Sequence, residues 1–515
     1  MNQADGVRIS GLHYAYPGLT TWALAAIDLE IQAGEWLALL GANASGKTTL
    51  CRALVGLAPH LTGGRFRGQV LIGGKDTRQH PPAALVGVVG LTFQNPESQL
   101  FNPNVEAEIV WGLEALGLPR AVIGERLAWA LHTFDLAGLR TQAPERLSGG
   151  QQRRLALAAV LAMQPSLLVL DAPLGGLDPQ GRSEVLAALQ QLRQQRHVTV
   201  VVAEAADQAI TTFADRVAHL QQGRLVAVSP ASDVRAAGDA GAWAEEGAGL
   251  SSIEPSEPSH ASAAAAAAIT LEQLSFAYDP GRPLLQEINL TVRAGEFVAL
   301  VGANGSGKTT LAKHLIGLLR PASGRLLIQG QESARQSVGA LARQVGFLFQ
   351  NPERQIFSAT VSDEVAFGPR NLGLAADVVA QRVRQALARF ELTDLATQPP
   401  AMLSFTQRRR VTLAAVAALE TPILVLDEPT VGLDAEACAS VLAWLHERHA
   451  QGVTLLLVTH DLALVAAHAQ RVLVMQGGRL VAAGPPALVL AQRDLLAQAG
   501  LLAAPAPMQE QPDAL

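Results

Sequence analysis

Two stretches of the sequence carry the spacing G-x-x-x-x-G-K-T. The first runs from Gly41 through Asn43, Ser45, Gly46 and Lys47 to Thr48 and Thr49, and the second from Gly302 through Asn304, Gly305, Ser306, Gly307 and Lys308 to Thr309 and Thr310. Each follows an apolar run, Trp36–Leu40 or Phe297–Val301, that reads as a buried strand, and each precedes a helical stretch. Glycines let successive backbone N–H groups close around a phosphate. The helix N-terminus adds partial positive charge, the lysine reaches the outer phosphates, and the threonine ligates Mg2+. Two such loops at matching places of one chain exclude coincidence. Tyr16 and Tyr278, read as lying ahead of the first strands, admit two readings: rings that stack on adenine, or ordinary strand aromatics.

A second pair of stretches lies farther along. Leu147-Ser148-Gly149-Gly150-Gln151 is followed by Gln152-Arg153-Arg154 and an apolar run ending at Asp171; Leu403-Ser404-Phe405-Thr406-Gln407 is followed by a run ending at Asp427-Glu428. Alone, either would read as a turn, an amphipathic helix and a buried strand. They are not alone, because the chain is an internal repeat. Lys47 and Lys308 are offset by 261 residues, and Gln94 and Gln350, like Asp171 and Asp427, by 256. The drift of a few residues marks duplication with small loop changes.

The elements that position these residues alternate strand and helix, which predicts a mostly parallel sheet covered by helices. Central strands are expected at Leu167–Leu170 and Ile423–Leu426, and further ones at Val198–Val202 and Thr454–Val458, with mainly helical segments over 95–160 and 351–415. A chain of 515 residues holds two or more domains. We place domain 1 at 1–228, a linker rich in Ala, Ser, Pro and Gly at 229–268, domain 2 at 269–498 and a disordered tail at 499–515. A flexible tether of that length spans about 35 Å, and a short helix is conceivable at its alanine run. The net charge of -6 gives no basic face for nucleic acid. Lysine occurs only at 47, 75, 308 and 313, two of them in the phosphate loops. Cys51 and Cys438 lack metal-ligand spacing and suit a reducing compartment. Residues 1–10 lack the basic flank and apolar core of a signal peptide. No apolar run approaches the roughly 20 residues of a membrane helix.

In order, these motifs resemble the ATP-binding cassette (ABC) ATPase domain, twice over, across about 7–228 and 269–490. The resemblance implies an α/β fold of two tandem P-loop NTPase domains, each a mostly parallel sheet core with a helical subdomain and an N-terminal antiparallel β part. It implies ATP and Mg2+ as ligands, and domains paired head to tail, each ATP held by one phosphate loop and the other domain's signature. On that pattern Thr309, Gln350 and Asp427 would hold Mg2+, Glu428 would be the general base and His460 would contact the γ-phosphate, with Lys308 neutralising charge. The first half offers Thr48, Gln94 and Asp171 but Ala172 at the base and Ala205 at the histidine. The signatures mirror this: Ser148, Gly149, Gly150 and Gln151 allow close approach to phosphate, whereas Phe405 and Thr406 bring side chains into that space. Asp178 and Asp434 follow the acidic strand ends in both halves. Head-to-tail pairing leaves one complete ATPase site and one degenerate site.

The segments Phe93-Gln94-Asn95-Pro96-Glu97-Ser98-Gln99-Leu100-Phe101 and Phe349-Gln350-Asn351-Pro352-Glu353-Arg354-Gln355-Ile356-Phe357 are similar to ATPases of energy-coupling-factor (ECF) vitamin and metal-ion importers. Downstream, Phe367-Gly368-Pro369-Arg370 in the second copy becomes Trp111-Gly112-Leu113-Glu114 in the first. The resemblance implies a peripheral protein at the cytoplasmic face of the cell membrane, docked on a transmembrane coupling subunit, beside a membrane subunit that captures substrate. A fused ATPase of another importer, such as a sugar type, shares every catalytic residue. A soluble ABC protein of translation or DNA repair is disfavoured by the acidic balance.

Overall fold

The computed structural model describes residues 6–502 apart from 19–20, 43–44, 148, 176, 178, 196–197, 205–207, 239–265, 279–280, 282 and 434. The chain forms two compact units, Met1–Leu177 with Gly181–Gly249, and a second whose body is Leu250–Leu515.

In the first unit, Val89–Thr92, Leu167–Asp171, Thr199–Glu204, Trp36–Leu40 and Arg216–Gln221 lie parallel in that order, with Arg224–Pro230 antiparallel at the edge. The central strands are apolar on both faces, as burial beneath helices requires. Alternation sorts their side chains. Leu37, Leu39, Val169 and Val201 pack with Leu50 and Leu54 of the phosphate-loop helix Lys47–Leu54. Ala38, Leu40, Leu168, Leu170 and Val200 pack instead with Val105, Ile109 and Leu155 of the lateral helices Val105–Ala115 and Gly149–Ala162. Strands Leu24–Ile31, Val7–Ala15, Arg65–Ile72 and Lys75–Asp76 make a separate antiparallel sheet.

The second unit repeats this plan. Its six-stranded sheet runs Val345–Leu348, Ile423–Asp427, Thr454–Val458, Phe297–Val301, Arg471–Gln476, Arg479–Gly484, and its four-stranded sheet runs Leu285–Arg293, Ala267–Phe276, Ser323–Ile328, Gln331–Glu332. The lateral helices are Val361–Asn371, Ala376–Arg389 and Phe405–Ala417. Thr360 caps the first by accepting from Asp363 N, and Ser404 caps the third in a reciprocal box with Gln407. The expected strands at both phosphate loops and both acidic runs form where the apolar runs place them.

Four expectations are corrected. Tyr16 and Tyr278 follow the first strands, Val7–Ala15 and Ala267–Phe276, rather than preceding them. The expected linker begins with structure of the first unit: Arg224–Pro230 is a strand and Ala231–Gly238 a helix, tied down by Ala231 N donating to Asp215 O and by Arg235 donating to Thr211 O and Thr212 O. At its other end, Ala267 and Ala268 open a strand instead of a helix, because they pair across the sheet with Arg293 and its neighbours; the residues between, 239–265, lie outside the described set. The expected disordered tail starts too early. Ala499 and Leu501 pack against Ala299, Val301 and Val472, and Ala303 N donates to Ala499 O. Residues 503–515 lie outside the described set. No helix of the described residues is long and apolar enough to cross a membrane.

Candidate nucleotide sites

In parallel sheets, ligand sites gather beyond the carboxyl ends of the strands. In the second unit Val301 runs into Gly302, and Lys308 Nζ folds back to donate to Gly302 O at 2.7 Å and Ala303 O at 2.8 Å. Gly307, at φ +102°, turns the loop into helix Lys308–Leu315, a conformation glycine adopts without strain. Inside the loop, the buried Ser306 hydroxyl has no hydrogen-bond partner among the described residues. A lysine resting on the loop's own carbonyls beside an orphaned hydroxyl fits a cradle for anionic phosphate oxygens.

Thr309 Oγ1 donates to Asp427 Oδ2 at 2.6 Å, and this hydroxyl–carboxylate pair suits a Mg2+ ion next to the cradle. Burial pushes the Asp427 carboxyl up to about 6, a buried anion that a bound cation would hold ionised. The next residue, Glu428, has a left-handed backbone at φ +50°, and its carboxylate is buried. Thr459 Oγ1 donates to it at 3.2 Å, and His460 Nδ1 lies 2.7 Å from Oε1. Burial works against a charged His460, but the Glu428 hydrogen bond and charge outweigh it and raise the imidazole above 6.5. A buried carboxylate partnered by a histidine, one residue beyond the Mg2+ ligand candidate, can orient and deprotonate water.

In the first unit the described residues of the loop repeat this arrangement. Lys47 Nζ donates to Gly41 O at 2.6 Å and Ala42 O at 2.8 Å, the Ser45 hydroxyl is likewise orphaned, and Thr48 donates to Asp171 at 3.2 Å. Burial also raises the Asp171 carboxyl. Ala172 keeps the left-handed backbone, at φ +49°, without the carboxylate. Strand register fixes the remaining correspondence. Asp171 pairs with Ala203 and Asp427 with Val458, so Glu204 stands where Thr459 does, and the next residue in sequence is Ala205 where the second unit has His460. Ala205 itself lies outside the described residues, as do Asn43, Ser148, Asp178 and Asp434.

The signatures differ in more than bulk. Gly149 and Gly150 open helix Gly149–Ala162, and a Cβ on Gly150 would come only within 3.4 Å of Gly181 Cα. Phe405 and Thr406 do not both project into phosphate space, as the sequence suggests. Thr406 donates inward to Gly432 O at 3.0 Å, and the Phe405 ring lies where a Cβ on Gly432 would be. The second signature is closed onto the loop that follows its own Glu428. The tyrosines differ too. Tyr278 is 57% exposed, edge-on to Phe276, whereas the Tyr16 hydroxyl is engaged by Thr49 at 3.1 Å and by Arg52 at 3.1 Å.

Two functional residues escaped sequence reasoning. Arg409, fully buried, donates to Phe349 O, Gln350 O, Asp427 O, Glu428 O and Pro429 O. Arg153 donates to Gln94 O, Ala172 O and Gly175 O. Their signal was the shared offset of 256 residues, the same as that of the aspartates. Through these arginines the carbonyls of Gln94 and Gln350 are fixed to the acidic strand ends, while the Gln350 side chain is left exposed.

With this geometry in place, the comparisons decide the family. A model of the ABC transporter ATPase domain matches residues 24–175 and again 285–431. The chain belongs to the ABC transporter ATPase family. It is 36% identical, over 96% of its length and 88% of the relative's, to a protein of Methanosarcina acetivorans provisionally named as an ABC transporter ATP-binding protein. A protein of Caldanaerobacter subterraneus subsp. tengcongensis with the same provisional name is 33% identical over 89% of this chain and 87% of its own. Among solved structures, cbiO1 from Clostridium perfringens, described as part of the ABC transporter complex cbiONQ, is similar over 46% of this chain and 95% of its own, at 35% identity and a TM-score of 0.41. This ABC protein is thus an ATPase of two fused P-loop NTPase domains that takes ATP with Mg2+.

The His460–Glu428 pair predicts a pH dependence. A raised imidazole stabilises the fold fully below its ordinary value of 6.5, and that stabilisation is lost as pH rises through the elevated value. Thermal denaturation of the nucleotide-free chain between about pH 5.5 and about pH 8.5 should show the advantage of wild type over His460→Gln largest at the acid end and shrinking with pH.

Proposed function

We propose that this ABC ATPase energises an ECF-type importer through one hydrolytic site and one retaining site. The observation that carries the reading is the complementary loss. The second unit keeps Lys308, Thr309, Asp427 and a Glu428–His460 pair at 2.7 Å, but its signature is closed by Phe405 and Thr406. The first unit keeps the glycine signature but has alanine at both catalytic positions. Neither unit alone is whole. Head to tail, Ser148, Gly149 and Gly150 would complete the Lys308 site, and every loss would fall at the Lys47 site.

At the Lys308 site, the lysine and the Mg2+ ligands Thr309, Gln350 and Asp427 would offset phosphate charge. Glu428 would take the proton of the attacking water, and His460 would hold the γ-phosphate end while steadying Glu428. At the Lys47 site, MgATP would bind between Lys47, Thr48 and Asp171 and turn over slowly.

Two exposed aromatic pairs support a membrane partner. Phe357, 64% exposed, meets Phe367 edge-on at 4.5 Å in the second unit, and Phe101 meets Trp111 at 5.0 Å in the first. A buried carboxylate props each pair: Glu364 accepts from Phe357 N and Ser358 N, and Glu108 accepts from Phe101 N and Asn102 N. Propped, exposed aromatics next to the glutamine segment are what an apolar coupling helix would grip. The F-Q-N-P-E-x-Q-[LI]-F motif that presents them favours the ECF type over a sugar-type importer, and the coupling and substrate-capture subunits would be integral membrane proteins.

Replacing the base should be decisive: Glu428→Gln is expected to lower steady-state ATPase by about 10²- to 10⁴-fold, and activity near the wild-type rate would overturn the assignment. Lys47→Ala should chiefly shorten nucleotide retention, measured by desalting after loading with labelled ATP, and Ala172→Glu alone should not raise turnover. Pairing is checked by a double variant, Ser148→Cys with Gly305→Cys, which should form an ATP-dependent disulfide within one chain or between two copies. For docking, Phe357→Ser with Phe367→Ser should reduce the membrane subunits recovered in a detergent pull-down by about tenfold or more.

A further inference from the structure

The Lys47 site contains a buried carboxylate to which this proposed function gives no task. Glu204 ends strand Thr199–Glu204 in register with Leu40, the residue before Gly41, and is less than a tenth exposed. The second unit has Thr459 at this point, and Thr459 donates to Glu428. Glu204 instead accepts from Leu174 N at 3.0 Å, two residues beyond Ala172. The carboxylate missing from one strand end has a counterpart on the next strand, reaching into the same turn.

Arg153 shows what that counterpart serves. Its guanidinium is buried, and burial pushes it down to about 10 against the opposing fields of Glu204 first and Asp171 second. For Arg409 the opposing fields are those of Asp427 and Glu428. Each buried arginine thus lies in the field of two carboxylates, Glu204 and Asp171 in the first unit, Asp427 and Glu428 in the second, and Arg153 donates to Ala172 O and Gly175 O of the turn that Glu204 holds through Leu174 N. A buried cation stripped of one counter-charge is strongly destabilising.

We propose that Glu204 is a relocated carboxylate, a positioning residue that replaces the charge lost at Ala172. It would keep Arg153 and the turn 172–175 in the shape that retains nucleotide at the Lys47 site. Its Oε1 accepts from Leu174 N, so the task assigned to it is to position that turn and not to activate water. The proposal rests on the reading of the Lys47 site as a retaining site.

The test uses the full chain loaded with MgATP labelled in the base and follows release from the Lys47 site after desalting, together with the ATP-to-ADP ratio of what is retained. Glu204→Gln, which keeps size and removes charge, and Glu204→Thr, which copies the second unit, should each speed release by about tenfold, the scale of a charge-assisted hydrogen bond. Ala172→Glu combined with Glu204→Thr should restore release to within about twofold of wild type, because the charge is returned by the strand that carries it in the second unit. A merely structural role would not give that rescue. Wild-type release rates in both single variants, or no rescue in a double variant whose thermal midpoint matches wild type, would overturn the proposal. So would retained ATP that becomes ADP in wild type and not in Glu204→Gln, which would make Glu204 a base. If Lys47→Ala also failed to change retention, the failure would belong to the retaining-site reading and not to Glu204.

Discussion

The active-site geometry of each unit hangs on one buried guanidinium. Arg409 reaches from helix Phe405–Ala417 into the sheet and satisfies carbonyls on two separate strand ends, Phe349 and Gln350 on one, Asp427 to Pro429 on the other. Arg153 does the same from helix Gly149–Ala162 to Gln94, Ala172 and Gly175. A guanidinium suits this task because its donors lie in a rigid plane and it stays charged under burial; even pushed down to about 10 it keeps its proton at neutral pH. Breaking such a buried cation from its counter-charges is worth roughly 3–5 kcal/mol, a large fraction of any domain's stability. The segment bearing the glutamine, the acidic strand end and the signature helix are therefore one mechanical piece in each unit.

That piece is where sequence reading stopped short. Apolar runs ending in glycine or aspartate announced the strands, because a strand buried on both faces must be nearly all apolar. The phosphate loops were equally plain, since few other functions need that spacing of glycine, lysine and threonine. An arginine inside Gln-Gln-Arg-Arg or Gln-Arg-Arg-Arg, by contrast, resembles the solvated face of a helix. Nothing local says which of Arg408, Arg409 and Arg410 turns inward, and in the structure Arg408 pairs with Glu353 and Arg410 with Glu391 while Arg409 is buried. The tail was misjudged for a related reason: Ala499 and Leu501 pack against Ala299, Val301 and Val472, a contact between distant parts of the chain.

The second signature is closed onto its own unit. Thr406 and Phe405 engage Gly432, in the loop that follows Glu428. The side chains at this helix start thereby brace the loop that follows Glu428 of their own unit. Gly149 and Gly150 make no such contact through a side chain, and beside them the loop carries Ala172 in place of a base.

Duplication within one chain makes this specialisation self-consistent. Two identical subunits pairing head to tail must carry the same signature and the same base, so losing either would damage both sites at once. Joined copies escape that symmetry, and each loss can be confined to one site provided the buried charge balance survives it. Ala172 without Glu204 would leave Arg153 facing Asp171 alone, in a unit whose Thr48–Asp171 contact the nucleotide also needs. On the proposed reading, a carboxylate on the adjacent strand, one residue beyond the Ala203 that pairs with Asp171, would restore the balance with alanine still at residue 172. The chemistry of hydrolysis can then be lost from a site without losing the electrostatics that shape it.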